Sequence, residues 1–178
     1  ADAEFVRQAA SRLNLEFHLG QADVPAEAAS HKLGLEEAAR QLRYAFLFSV
    51  CQSVNAQALL VAHTRDDQVE TVMMHLLRGA GLDGLRGMTE WTLNVFPGQN
   101  VPIYRPLLNW PRNRVEQYCQ ISQVAYRQDA SNADPRYFRN RLRSELIPLM
   151  DALNPASREH IARFAELAGE EVEWMNDL

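Results

Sequence analysis

Cysteine is scarce in this sequence. Cys51 and Cys119 are its only two, and they form neither a CxxC pair nor a metal-ligand spacing. That leaves no pattern for a disulfide framework, and the two read as buried thiols of a reducing compartment. Long apolar runs are missing too. No stretch approaches the roughly 18 residues of a membrane span, and the first residues lack the basic-then-apolar order of a secretory signal. No membrane partner is expected, and the cytoplasm is the expected location. Positive charge is not in excess either. Lys and Arg total 18 against 23 Asp and Glu, a formal net charge of -5, so any nucleic-acid contact has to be local. There is no internal repeat and no low-complexity segment.

What is present suits a globular chain. Hydrophobic content of 47% with 23% charged residues supports one sizeable core with a helical appendage. The basic residues are nearly all arginine, and Arg136, Arg139, Arg141 and Arg143 crowd one short stretch.

Hydrophobic periodicity gives the order of elements. Phe5, Val6, Ala9, Ala10 and Leu13 form a helical stripe, and LEFHL (15–19) alternates as a short strand. GLEEAARQLRYAFLFSVCQSV is a long amphipathic helix. ALLVA (58–62) is unbroken and apolar, as strands buried on both faces of a parallel sheet are. Residues 66–78 return to the helical period, 101–108 are extended, and 111–121 are helical with Pro111 suited to a first turn. A helix from about Tyr137 to Leu153 should bend at Pro148. The last helix carries Ile161, Phe164, Ala165, Ala168, Val172 and Met175 on one stripe. Strands alternating with helices in this order imply an α/β parallel sheet, Rossmann-like, with a C-terminal helical extension.

Chemistry gathers at one strand-to-helix junction, VAHTRDDQVETVMMHLLRGAGLDGLRGM (61–88). The helix is expected to bury Val69, Val72, Met73, Leu76 and Leu77, leaving Asp67, Glu70, Thr71, Met74 and Arg78 on the opposite face. His63 ends the strand and Thr64 is placed to cap the helix. Acids in a first turn complement the helix dipole, and one aspartate there is more often structural than functional. Asp66, Asp67 and Glu70 together exceed what a dipole of about half a charge asks for. His63 alone would likewise be structural more often than not. At the carboxyl end of a strand, where open α/β sheets bind ligands, the group suits Mg²⁺ coordination or capture of an ammonium group.

GAGLDG within this stretch matches GxGxxG letter for letter, yet it closes a helix where the dinucleotide fingerprint opens one. Gly79 is better read as a helix end with positive φ. The glycines still let backbone amides approach a ligand, with Arg78 and Arg86 nearby for an anion.

The HxxxDQxET arrangement of His63, Asp67, Gln68, Glu70 and Thr71, continued by RGAGLDGLRGM, resembles the tRNA(Ile)-lysidine synthetase family of PP-loop ATP pyrophosphatases. EEAARQLRYAFL (36–47), YRPLL (104–108) and DASNADPRYFRNRLRSELIPLM (129–150) agree in the same order. The resemblance implies a PP-loop, adenine nucleotide alpha hydrolase-like domain over residues 1–136 and a helical extension or linker over 137–178. It also implies a reaction. ATP adenylates the wobble cytidine of a CAU-anticodon isoleucine tRNA at carbon 2 and releases pyrophosphate. The ε-amine of L-lysine then displaces AMP to give lysidine.

On that reading Asp67 binds Mg²⁺, Glu70 and Asp67 hold the lysine ammonium, and His63 orients or deprotonates the amine. Arg43, with Arg40 one turn before it, is placed to contact phosphate or cytosine, and Asp66 and Arg78 join the substrate site. Arg139 and Arg143 are i, i+4 neighbours on a basic helix edge. Such a run is usually a solvated face, but in a tRNA-modifying enzyme Arg139 and Asn140 would contact substrate. A homodimer is compatible with the sequence.

The resemblance also sets an expectation about extent. The SGGxDS phosphate loop, the strand after it and the family's C-terminal tRNA-gripping domains are not in residues 1–178. The natural protein is therefore expected to carry an N-terminal segment, and this stretch alone is expected to be inactive. Two rivals remain. One is a PP-loop tRNA thiolase, for which cysteine pairs would be the signature. The other is a non-catalytic RNA-binding remnant of the fold.

Overall fold

A computed structural model describes residues 2–93, 100–127 and 138–178. They fall into two compact units, one holding residues 2–59 and 100–101 and the other 60–93, 102–127 and 138–178.

The first unit is helical. α1 (Asp2–Arg12) places Asp2 and Glu4 in its first turn and Arg12 in its last, as the dipole favours. None of its residues is buried, and Val6 and Leu13 of the expected stripe are 50% and 69% exposed. The strand expected at 15–19 does not form. Alternation makes a strand only with a ladder partner, and among the described residues none pairs with it. α2 (Val24–His31) escaped the periodicity reading because it is only eight residues long. Its start was legible even so: Asp23 accepts the Ala26 amide at 3.0 Å, and Pro25 lies in the first turn. α3 (Leu35–Ser53) packs on α2 and buries Ala38, Tyr44, Phe48 and Cys51. Burial pushes the Cys51 thiol pKa up, as expected of an inert cysteine, whereas Cys119 is only half-buried.

A three-stranded sheet has the order β1-β3-β2, from β1 (Leu59–Leu60), β2 (Trp91–Thr92) and β3 (Ile103–Tyr104). β1 and β3 form the expected parallel pair, and β2 adds an antiparallel partner with Trp91 opposite Tyr104. Their rings stack at 4.3 Å between centroids.

α4 (Arg65–Leu77), α5 (Leu82–Leu85) and α9 (Ser157–Asn176) pack together in the second unit, with α6 (Arg112–Ile121) beyond β3. Val69, Ile147 and Ala162 form a buried cluster backed by Met73 and Ile161. Fully burying a side chain such as Val69 or Ile147 contributes about 1.5–3 kcal/mol. The phase of α4 differs from the expected one. Its buried residues are Gln68, Val69, Glu70 and Val72, while Leu76 and Leu77 are 51% and 55% exposed. Glu70, expected on the open face, is 1% exposed. α9 is offset similarly: Ala162, Ala165, Ala168 and Val172 are buried, and Phe164 and Met175 are not.

The helix expected from 137 to 153 begins, among the described residues, as α7 (Phe138–Arg141) and ends as α8 (Ile147–Leu153). Between them Leu142–Leu146 is wound as a π-helix, in which the Ile147 amide donates to the Leu142 carbonyl. Pro148 has no N–H for the carbonyl four residues back, and the wider turn absorbs that loss just ahead of it. Asn14, Lys32, Asn55 and Gln123, each just beyond a helix, are left-handed with φ of 54°, 54°, 51° and 53°.

Candidate functional site

The start of α4 is built by its own acids. Thr64, extended before the helix, gives its amide and hydroxyl to Asp67 Oδ2 at 2.8 and 2.9 Å, a capping box with aspartate as the reciprocal partner. Asp66 is engaged at both oxygens. The Arg112 amide at the head of α6 donates to Oδ2 at 2.7 Å, and Arg158 of α9 donates to Oδ1. Arg158 also grips Asp151 of α8, so one guanidinium joins α4, α8 and α9. These pairings raise the Arg158 pKa, with the Asp151 bond the largest cause, and hold the Asp151 carboxyl below its ordinary value.

Glu70 lies between two arginines. Arg143 donates from Nε to Oε1 at 2.7 Å and from Nη2 to Oε2 at 2.9 Å, a two-pronged pair. Arg139 Nε lies 2.9 Å from Oε2. Arg139 is also tied to α4 through Nη2, which donates to Thr71 Oγ1 at 3.1 Å and to the Asp67 carbonyl at 3.4 Å. Hydrogen bonding to Glu70 is the main reason the Arg143 pKa rises. Arg143 Nη2 also stands 4.0 Å from Asp67 Oδ1. Of the three acids, Asp66 and Glu70 have both oxygens in close contacts. Asp67 keeps one oxygen outside hydrogen-bond distance of any described side chain.

The basic edge expected from FRNRLR is therefore largely neutralised within the chain. Arg139 and Arg143 serve Glu70, and Arg141 pairs with Glu145 at 3.0 Å. The sequence hid this because Glu70 lies some seventy positions upstream, outside any local pattern. Arg136 falls outside the described residues. His63 is half-buried immediately before the cap, and Asn140 is half-buried on α7. Arg78 stacks over Phe138 at 5.8 Å, which brings the end of α4 to α7. Arg40 and Arg43 belong to the first unit, are exposed, and lie over the Tyr44 ring at 5.1 and 5.6 Å.

The glycine loop closes the helix as expected, with Gly79 at φ +77°. Gln68, a member of the HxxxDQxET pattern, holds this loop. Its Oε1 accepts the Met88 amide at 2.7 Å, and its Nε2 donates to the Arg86 and Met88 carbonyls. Gly87 sits at φ +65°, and a Cβ there would meet the Gln68 amide at 2.7 Å. Arg86 pairs with Asp83 at 3.2 Å.

Among the described residues no three His, Cys, Asp or Glu side chains gather to hold a metal. Asp67 offers one oxygen, beside the Arg143 guanidinium. That donor set does not make a resident site and suits Mg²⁺ only as one ligand among phosphate oxygens and waters. No helix among the described residues is long and apolar enough to cross a membrane.

Residues 1–150 match the PP-loop domain family. A tRNA(Ile)-lysidine synthase of Dehalococcoides mccartyi is 40% identical over 178 residues, covering 99% of this chain and 38% of its own. The tRNA(Ile)-lysidine synthases of Geobacter sulfurreducens and Nostoc sp. are 39% and 36% identical, over 96% and 98% of this chain and 35% and 48% of theirs. The chain thus spans well under two thirds of the length of these relatives. Among solved structures, the U34-tRNA thiolase NcsA from Methanococcus maripaludis with its 4Fe-4S cluster superposes with a TM-score of 0.67. It is 17% identical, with 94% of this chain and 56% of that one covered, a likeness of fold.

Proposed function

We propose, from the premise that this chain belongs to the PP-loop domain family, that it supplies part of an ATP-dependent ligase. That ligase joins L-lysine to the wobble cytidine of a CAU-anticodon isoleucine tRNA in the cytoplasm. The observation that carries this reading is 40% identity to a tRNA(Ile)-lysidine synthase along 99% of the chain, with the acid cluster of α4 inside the matched region.

The chemistry runs in two balanced steps. The cytosine O2 attacks the α-phosphorus of ATP and pyrophosphate leaves. The lysine ε-nitrogen then bonds to carbon 2, the bond from carbon 2 to O2 breaks, AMP departs with that oxygen, and the amine loses its protons. Asp67 is the acid we assign to the incoming ammonium, because the oxygens of Asp66 and Glu70 already have close partners. His63, next to the cap, is the group we assign to accept a proton. Arg40, Arg43, Arg78 and Asn140 are assigned to phosphate and RNA contacts; Arg139, engaged with Glu70, Thr71 and the Asp67 carbonyl, would have to leave Glu70 to join them. Magnesium would arrive on the phosphates of ATP, with Asp67 as its single protein ligand; it would neutralise charge on them during adenylation and leave with pyrophosphate, before the amine takes the same oxygen.

Thiolation of a tRNA base is the neighbouring possibility in this fold. Cys51 and Cys119 belong to separate compact units, an arrangement that lends no support to a sulfur-handling pair. The test is incorporation of labelled lysine into an isoleucine tRNA transcript by the natural gene product. We expect lysine uptake with release of AMP and pyrophosphate. ATP–pyrophosphate exchange without lysine uptake would overturn the lysidine reading and leave adenylation standing.

A further inference from the structure

The charge cluster around Glu70 involves a residue that the proposed chemistry does not use. Arg143 is half-buried, and two of its nitrogens are bound by Glu70 at 2.7 and 2.9 Å. The same guanidinium stands 4.0 Å from Asp67 Oδ1, the one oxygen of the three α4 acids outside close hydrogen bonding among the described residues. Arg143 therefore faces two carboxylates and is bonded to one. Arg139 is not poised in this way, because Thr71 and the Asp67 carbonyl anchor it to α4 independently of Glu70.

A cation that closes from 4.0 Å to contact with Asp67 would occupy the position an incoming ammonium needs. Both are hydrogen-bond donors of the same charge, and one carboxylate oxygen cannot serve them equally. Glu70 holds the guanidinium in its two-pronged pair at that distance.

We propose that Glu70 and Arg143 are positioning residues, Glu70 retaining the Arg143 guanidinium so that the outer oxygen of Asp67 stays available to the substrate amine. This rests on the ligase reading, in that it takes Asp67 to meet the amine. It departs from the direct role that the sequence suggests for Glu70. Glu70 on this view never touches lysine. It sets how strongly lysine binds by denying Asp67 a competing partner.

The two roles give opposite results when Glu70 and Arg143 are changed together. In Glu70→Gln, Arg143 is released toward Asp67. The KM for lysine should rise about tenfold or more while kcat changes less than about threefold, because a like-charged competitor weakens binding without altering the chemical step. In Glu70→Gln/Arg143→Gln the competitor is gone, and KM should return to within about threefold of wild type. Arg143→Gln alone should not raise KM. Were Glu70 a direct ligand, the double variant would stay as impaired as Glu70→Gln. Were Arg143 itself needed to bind lysine, Arg143→Gln would raise KM. Either result overturns the proposal.

Wild type and the variants, Arg143→Lys included, are assayed as the natural gene product with ATP, L-lysine and the CAU-anticodon transcript, and thermal melts are recorded in parallel. The melts separate loss of fold from loss of binding. Arg143→Lys, which keeps the charge but not the two-pronged grip, should raise KM if release is the cause, even with a near wild-type melt. An Arg143→Lys protein of normal KM and normal melt would also refute the idea. If the wild-type protein incorporates no lysine, the ligase reading falls and this inference with it. If the wild type is active and only the rescue fails, the inference falls alone.

Discussion

Gln68 occupies a position where a pattern of letters conceals a mechanical function. Its side-chain amide, 7% exposed, satisfies the Met88 amide and the carbonyls of Arg86 and Met88, so one side chain fastens the glycine loop to α4. Gly87 fits beneath that amide only because it lacks a Cβ and because φ of +65° is open to it. Gly87→Ala should cost about 1–3 kcal/mol, from the left-handed backbone and the clash together. Urea denaturation would read this as a lower midpoint at unchanged slope, and an unshifted midpoint would show that the loop yields freely. At this scale the sequence was only partly legible. Thr64 as the cap and Gly79 as the helix end were readable, because both signals are local. The burial of Glu70 was not, because it depends on Arg139 and Arg143 returning to it from α7 and the π-helical turn.

Helices are where periodicity reads well and phase reads poorly. The extents of α3, α4 and α6 lay close to those expected, whereas α4 and α9 are rotated so that Leu76, Leu77 and Phe164 face outward. Polar clamps account for part of the rotation of α4. Once Gln68 and Glu70 are satisfied inside, the apolar residues at its last turn move to the rim. Arg158 does the same work between helices, joining Asp66 of α4 to Asp151 of α8. This clamp has a pH signature. The Asp151 carboxyl is held below its ordinary value of 3.8, chiefly by its hydrogen bond from Arg158. The stability it contributes is thus present above that value and lost as pH falls through the lower folded-state value. Arg158→Met should remove this acid-side contribution. Thermal midpoints followed downward from pH 5 should converge for wild type and variant at the acid end. A constant gap between them would mean that Asp151 does not titrate with the clamp.

At the scale of the molecule, charge decides how RNA can be met. The formal net charge is -5, and much of the arginine density at 139–143 is consumed by Glu70 and Glu145. On the ligase reading, this leaves Arg40, Arg43 and Arg78 as the described arginines assigned to phosphate. If the proposed ligase meets tRNA through them, the salt dependence of that affinity should be shallow, with a log–log slope of about −3. Filter binding across a salt series measures it, and a slope steeper than about −5 would show that the internal pairs open on binding. The α/β class was legible in the strand and helix order. The antiparallel strand β2 was not, since a strand of two residues carries no period. The four left-handed helix ends at Asn14, Lys32, Asn55 and Gln123 bear on how the molecule could be hardened. A side chain held there gives up about 1 kcal/mol relative to glycine, with asparagine the milder case. Thermal tolerance could accordingly be raised at Lys32 and Gln123, chain reversals that no assigned step uses.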